Sequence, residues 1–358
     1  MKHLRKLVLS FVSVIIMVTS LGATALATEF TDTDNHWAVK AINTWSDYSV
    51  IQGYEGKFRP DEPITRGEMA RVLNNVIGYQ KTVANPFKDI NNLDWFYNDV
   101  IKLNAAGVML GSYGEARPDD YILREEAVVM IARAFNIEGN DGSSTFADAA
   151  TISAWANSLV NGMQAKGYVQ GSDNKFNPQS NITRAEVITI LNNMTSLFIK
   201  DAGEYTANAN GSLIVRTAGV TLKGMTVSGD LYLMEGIGEG NITLDGITVK
   251  GNTFIRGGGK NSIIIKGGAG FGNIYIYKDG DAVRIVNENG EPIPYIQIGN
   301  GTDVILSGSF NEIYVGDGAK AVLSGNSEKV NIAANAKMTF DSGAAEIVND
   351  RQRSNTVG

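Results

Sequence analysis

From Trp37 onward, apolar residues recur three and four positions apart. Trp37, Ala41, Ile42, Trp45 and Tyr48 make one stripe, and Met69, Val72, Leu73 and Val76 a second. Such spacing predicts amphipathic helices, each with one buried face. Between them runs Gly53-Tyr54-Glu55-Gly56-Lys57-Phe58-Arg59-Pro60-Asp61-Glu62-Pro63, a loop rich in glycine and proline. The unit therefore reads helix, loop, helix. Near Lys200 the pattern changes. Short apolar strings of period two alternate with Gly and Asn, and 27 of the 40 Gly but no Trp fall within 201–358.

Both halves repeat. Trp37, Trp95 and Trp155 lie 58 and 60 residues apart, as do Arg66, Arg124 and Arg184. The Trp-to-Arg distance is 29 in every copy, and Gly53, Gly111 and Gly171 each follow their Trp by 16. A Phe-x-Asp precedes each Trp, at Phe30-Thr31-Asp32, Phe87-Lys88-Asp89 and Phe146-Ala147-Asp148. A unit of this size buries little alone, whereas three copies can share a core.

In the second half, Leu222 to Leu233 aligns with Leu244 to Ile255 and with Ile265 to Ile276, at steps of 22 and 21. Leu306, Leu323 and Phe340 then step by 17. Short strands at a fixed step near 20 predict a β-solenoid, in which each turn adds a rung about 4.8 Å along the axis. A β-sandwich is the runner-up. Gly280–Pro294 breaks the register and reads as a hairpin inserted between two stacks.

The N-terminal pattern resembles the S-layer homology (SLH) family, which comes as three tandem modules. The resemblance covers about residues 28–200 and rests on Phe-x-Asp, Trp37-Ala38, Phe58-Arg59-Pro60-Asp61 and the Ile-Thr-Arg-Ala-Glu signature. Copy three carries that signature as Ile182-Thr183-Arg184-Ala185-Glu186. Copy one has Gly67 for Ala, and copy two reads Ile122-Leu123-Arg124-Glu125-Glu126. The resemblance implies a three-lobed helical prism whose grooves bind secondary cell-wall polysaccharide, often one bearing pyruvate ketals. The second half resembles, more weakly, the β-solenoid segments found beside SLH modules. The expected architecture is an all-α three-module prism (28–85, 86–143, 144–200) followed by an all-β, solenoid-like domain (201–358).

The signature suits an anion. Thr65 with Glu68, and Thr183 with Glu186, fit a capping box worth about 1 kcal/mol. Capping does not require the Arg, which falls at the first helical position, where the macrodipole disfavours a cation. Free helix amides beside a forked guanidinium make a carboxylate site. Arg66, Arg124 and Arg184 are thus the candidate polysaccharide ligands. The competing reading pairs each with a neighbouring acid, such as Asp32, Asp89 or Asp148. Trp37, Trp95 and Trp155 are either core anchors, the commoner case, or faces on which a pyranose stacks. Gly53, Gly111 and Gly171 either admit the ligand to the backbone or hold a turn with φ > 0. Copy two lacks the Thr cap and adds Glu125, which predicts the weakest groove there. Mutating Arg124 should then cost less binding than mutating Arg66 or Arg184.

The first residues carry Lys2, Arg5 and Lys6, an apolar run from Leu7 to Val18, and Ala25-Leu26-Ala27. That order predicts a signal peptide over 1–27, hence export and no membrane segment after cleavage. Cleavage leaves 28 basic against 38 acidic residues, a net charge of −10. With this charge nucleic acid is not an expected partner, and attraction to an acidic wall polymer must be short-range. Zero Cys and two His exclude thiol chemistry, zinc ribbons and a His-based triad, so no metal or cofactor is expected. Gly267–Gly272 lacks the Asp of calcium-binding repeats, and Gly257-Gly258-Gly259-Lys260 lacks phosphate-loop spacing.

The expected function is a non-catalytic cell-surface protein, held to the wall or surface layer by its modules and displaying a rigid solenoid for adhesion or layer structure. Self-association stays open. The alternative is a wall-anchored polysaccharide lyase or hydrolase with a β-helix catalytic domain. Its carboxylates would come from the scattered Asp230, Glu235, Asp245, Glu312 and Asp341.

Overall fold

The computed structural model describes residues 30–142 and 144–341. The predicted export segment lies outside these residues. Among the described residues, no helix is long and apolar enough to cross a membrane.

Each module supplies two helices: α1 (Val39–Asp47) and α2 (Arg66–Ile77), α3 (Tyr97–Ala105) and α4 (Arg124–Ala134), α5 (Ala154–Ala165) and α6 (Arg184–Met194). Thr65 and Thr183 are N-caps. Each accepts from the Glu amide three residues on, and Glu68 and Glu186 accept the cap amides in return. Leu123 has no side-chain acceptor, so only the Glu126 half of the box survives there, at 3.2 Å. Met69, Val72, Leu73 and Val76 are buried, as is α1 through Ala41, Ile42 and Trp45.

The modules close into a ring through their backbones. Ile64, Ile122 and Ile182 stand just before the second helices. The Ile64 N–H donates to the Ile182 carbonyl, Ile122 to Ile64, and Ile182 to Ile122, each at 3.1 Å. All three side chains are buried, so these bonds are shielded from water and costly to break. One apolar cluster spans all three modules.

The second half is a parallel β-solenoid. Leu197–Ile199, Leu213–Val215, Leu231–Leu233, Thr253–Ile255, Asn273–Ile276 and Ile293–Ile298 stack as one face. Gly203–Tyr205, Val220–Lys223, Ile242–Asp245, Ile264–Lys266 and Val283–Asn287 stack as another. The long strands Asp303–Val315 and Lys320–Ile332 continue both faces, and Lys337–Phe340 follows. The aligned strings are true rungs: Leu222 pairs with Leu244, Leu244 with Ile265, Leu306 with Leu323 and Leu323 with Phe340. An inner ladder runs Ile199, Val215, Leu233, Ile255, Ile276, Ile298, Val315, Ile332. Burying each such side chain contributes on the order of 1.5–3 kcal/mol.

Gly280–Pro294 is no inserted hairpin. Val283–Asn287 and the strand from Ile293 are two sides of a regular turn, with Val283, Ile285 and Ile293 pointing into the core. The sequence looked irregular there because Gly290 turns with φ 81° and Pro294, exposed, has no N–H to pair.

The solenoid is fused to the ring. Its first strand, Leu197–Ile199, follows α6 directly, before the composition change. On the face that meets the modules, the outward ladder begins Phe198, Ile214, Tyr232, and these join the modules' apolar cluster. Tyr232 meets Phe135 edge-on at 5.4 Å. Farther along, the same ladder becomes Tyr275, Gln297, Tyr314 and Asn331, which reach solvent. Burial on both faces near the joint is why Leu213–Val215 and Leu231–Leu233 do not alternate.

Candidate functional site

The ring swaps each Arg into its neighbour. Arg66 Nη1 lies 3.2 Å from Glu126 Oε1, Arg124 Nη1 2.9 Å from Glu186 Oε1, and Arg184 Nη1 2.9 Å from Glu68 Oε1. Each Glu is the one that closes its own helix's cap, so it serves two modules at once. Arg66 Nε donates to the Ala116 carbonyl and Arg184 Nε to that of Phe58, both at 2.9 Å. Arg124 Nη2 and Arg184 Nη2 donate to the Gln170 and Gln52 carbonyls. Burial lowers the pKa of Arg66 and Arg184, and the adjacent Glu opposes that shift.

This geometry corrects the reading of free amides. The Arg66, Arg124 and Arg184 amides donate to Asp120, Ser180 and Glu62, and the next amides to Pro118, Pro178 and Pro60. The helix N-termini are consumed by the neighbouring module and offer no open anion site. The Arg partners are Glu68, Glu126 and Glu186, not the Phe-x-Asp acids. Asp32, Asp89 and Asp148 instead clamp the loops, accepting from the amides of Phe58 and Arg59, Ala116 and Arg117, and Phe176 and Asn177. Burial raises the Asp32 and Asp148 pKa, but those amides outweigh it and hold both below the usual carboxylate range.

The Trp of the repeat is not a core anchor. Trp37, Trp95 and Trp155 are 62%, 51% and 55% exposed, while Trp45, outside the repeat register, is the buried one. The repeated glycines have a packing reason that neither expectation held. A Cβ on Gly53 would collide with the Phe30 ring and the Lys57 carbonyl, on Gly111 with Phe87 and Glu115, and on Gly171 with Lys175 and Phe146. Of the three, only Gly111 has positive φ, 69°.

The pieces meet in grooves between modules. One of about 410 Å³ is walled by Trp95 of module two, Arg184 of module three, and Gln52, Glu68 and Arg71 of module one. Arg184 lies 4.8 Å over the Phe58 ring, and the Arg71 guanidinium 4.4 Å over that of Trp95. Arg71 went unnoticed in the sequence because Val129 and Thr189 occupy its place in the other copies. A second groove, about 540 Å³, brings together Trp37, Arg124, Gln170, Gly171, Phe176 and Glu186. Arg124 sits 5.4 Å over Phe176, and its Nε has no hydrogen-bond partner among the described residues. At the third junction, Leu110, Ala116 and Val129 hold the places of Gln52, Phe58 and Arg71. Among the described residues Arg66 has no ring beneath it, and its side chain, 7% exposed, is buried to about the same extent as that of Arg124, at 10%.

Glu125 does not face a groove as expected. Its carboxylate is buried, accepting from the Ser153 amide and hydroxyl and from Gln179, at the start of α5. It adds no charge to a groove. Arg124 belongs to the Trp37 groove, whereas Arg66 is in the lining of neither groove described.

The scattered acids of the solenoid are engaged in structural contacts. Glu235 pairs with Arg256, Asp245 with Lys266 and Glu312 with Lys329. Asp230 accepts from the Asn252 amide, and Asp341 from Ser324.

A model of the S-layer homology domain family matches residues 29–70, 86–128 and 145–188. The chain is 31% identical over 170 residues to an amylopullulanase of Thermoanaerobacterium thermosulfurigenes, covering 45% of this chain and 9% of that one. It is 31% identical over 160 residues to a surface-layer 125 kDa protein of Lysinibacillus sphaericus (43% and 14%). It is 30% identical over 156 residues to a cellulosome-anchoring protein of Acetivibrio thermocellus (40% and 34%). The matches thus span at most about a third of these relatives. The region 29–188 thus carries three S-layer homology domains, closed into one ring and fused to a β-solenoid, and these domains point to the cell surface or cell wall.

Proposed function

We propose that the chain is a non-catalytic wall anchor whose ring grips an anionic secondary cell-wall polysaccharide in two grooves and holds the solenoid outward. The observation that carries this reading is the pairing, in each of two grooves, of an exposed indole with a guanidinium backed by an aromatic ring. A pyranose stacks on the indole, and an acidic substituent meets the guanidinium fork. Arg124, Arg184, Trp37, Trp95 and Gly171 are the proposed contacts. Arg66, Gly53 and Gly111 hold the scaffold, and Trp155, in the lining of neither groove, is assigned no contact. Thr65, Glu68, Thr183 and Glu186 cap the helices and aim the Arg side chains. Relatives named as an amylopullulanase and a cellulosome-anchoring protein share the module region with this chain, so the solenoid carries whatever distinguishes it. We assign the solenoid a structural, displaying role.

The test is co-sedimentation of the mature chain with isolated cell walls, before and after mild acid removes the ketal groups. Binding that is lost on ketal removal supports the reading. A chain left in the supernatant with intact walls overturns it.

A further inference from the structure

A second hollow lies where the ring meets the first turn of the solenoid. It measures about 540 Å³, and its walls include Tyr48 of module one, Tyr168, Asn192 and Asn193 of module three, and Asn210 and Ser212 of the solenoid. Tyr168 and Asn193 also line the Trp37 groove, so the two hollows share a wall. The Asn193 amide donates to the Tyr168 carbonyl at 3.2 Å, which sets that wall's shape.

The chemistry of this hollow differs from the groove's. No charged side chain is among its lining residues; apart from Met194 and two glycines they carry hydroxyls, carboxamides or aromatic rings. Asn192, Asn193 and Asn210 are exposed, so it opens to solvent. Two buried polar atoms of its lining, Trp45 Nε1 and Thr195 Oγ1, have no hydrogen-bond partner among the described residues. Farther along the joint a smaller hollow, about 270 Å³, is lined instead by charged groups, among them the solenoid's own ion pairs Arg256 with Glu235 and Lys278 with Glu239, both at 2.6 Å. A polar, uncharged, open hollow of this size suits a hydroxyl-rich guest, and aromatic rings beside neutral hydrogen-bonding groups suit the two faces of a pyranose.

Building on the groove reading, we propose that a glycan strand held beside Trp37 and Arg124 continues past Tyr168 and Asn193 into this hollow. There it places an uncharged sugar residue against Asn192 and Asn210. The solenoid's first turn is then part of the wall-polymer site, and the anionic and neutral residues of one strand are read by adjoining pockets.

Asn192 and Asn210 are exposed, so the double variant Asn192→Ala/Asn210→Ala and the plug Asn210→Trp should fold. Thermal unfolding that matches wild type checks this. Binding is measured by calorimetry with purified wall polysaccharide and, separately, with a pyruvylated methyl glycoside that fills only the groove. The expected result is about a tenfold loss for the polysaccharide with the glycoside unchanged. Unchanged affinity for the polysaccharide overturns the proposal, as does an equal loss for both ligands, which would place these residues in the groove itself. If wild type binds the polysaccharide but the variants match it, the groove reading stands alone. If wild type binds neither ligand, the groove reading and this extension fall together.

Discussion

Replacing Arg184 by Ala should loosen the ring before it touches any ligand. Its guanidinium donates to the Phe58 carbonyl and Glu68 Oε1, both at 2.9 Å, and to the Gln52 carbonyl at 3.2 Å, and it stacks over Phe58. Hydrogen bonds to charged groups are worth about 1.5–3 kcal/mol each, and breaking a fully buried pair costs about 3–5 kcal/mol. The side chains of Arg184 and Glu68 are 16% and 35% exposed. Water can therefore reach the orphaned carboxylate, which discounts those figures. We expect a loss of about 2–3 kcal/mol. All four Trp lie in the modules, so urea unfolding followed by tryptophan fluorescence reads the ring directly. A double-mutant cycle with Glu68→Gln should return a coupling of about 1 kcal/mol or more. Arg184→Lys should recover less than half of the loss, because an ammonium cannot reproduce the fork. A destabilisation below about 0.5 kcal/mol with additive mutants would refute the clamp, since that is the range of surface substitutions.

Gly53→Ala should destabilise by about 1–3 kcal/mol through overpacking against Phe30 and the Lys57 carbonyl, whereas Gly56→Ala, facing open space, should cost only the strain of its positive φ; urea midpoints separate the two. Asp32 and Asp148 have depressed pKa values, so each contributes stability above its unfolded pKa near 3.9, lost as pH falls through the folded value. The ring should therefore hold to about pH 4 and weaken below it, and Asp32→Asn should flatten that acid limb in unfolding measured from pH 5 to pH 2. In wall binding, Arg124→Ala should cost more than Arg66→Ala, the reverse of the order read from the signature alone; equal losses would contradict the groove assignment.

The triplication was legible because it is written in fixed distances between Trp, Arg, Gly and Phe-x-Asp. Helix starts were legible because capping is local: Thr65 and Glu68 need only each other. The solenoid register could be read from Leu222, Leu244 and Ile265 because parallel rungs stack like on like. What escaped lies between modules. Ring closure brings Arg184 to Glu68 and Phe58 across more than a hundred residues, and no local spacing encodes that exchange. The same exchange takes copy two's Arg away from copy two's own loop. A module's signature helix contributes its Arg to the neighbouring groove, so Arg124 serves the loop of copy three. Glu125 looked like a loose charge because Ser153, which it holds, is distant in sequence. Trp exposure could not be read either, since the stripe that begins at Trp37 buries Ala41, Ile42 and Trp45.

The account rests on two grooves gripping one acidic polymer. The most direct test titrates purified wall polysaccharide into wild type, Trp37→Ala, Trp95→Ala and Trp155→Ala. Losing a base-stacking-sized aromatic contact is worth about 1–3 kcal/mol, so Trp37→Ala and Trp95→Ala should each bind at least fivefold more weakly, with Trp155→Ala close to wild type. Three variants that all bind as wild type does, or a loss confined to Trp155→Ala, would contradict it.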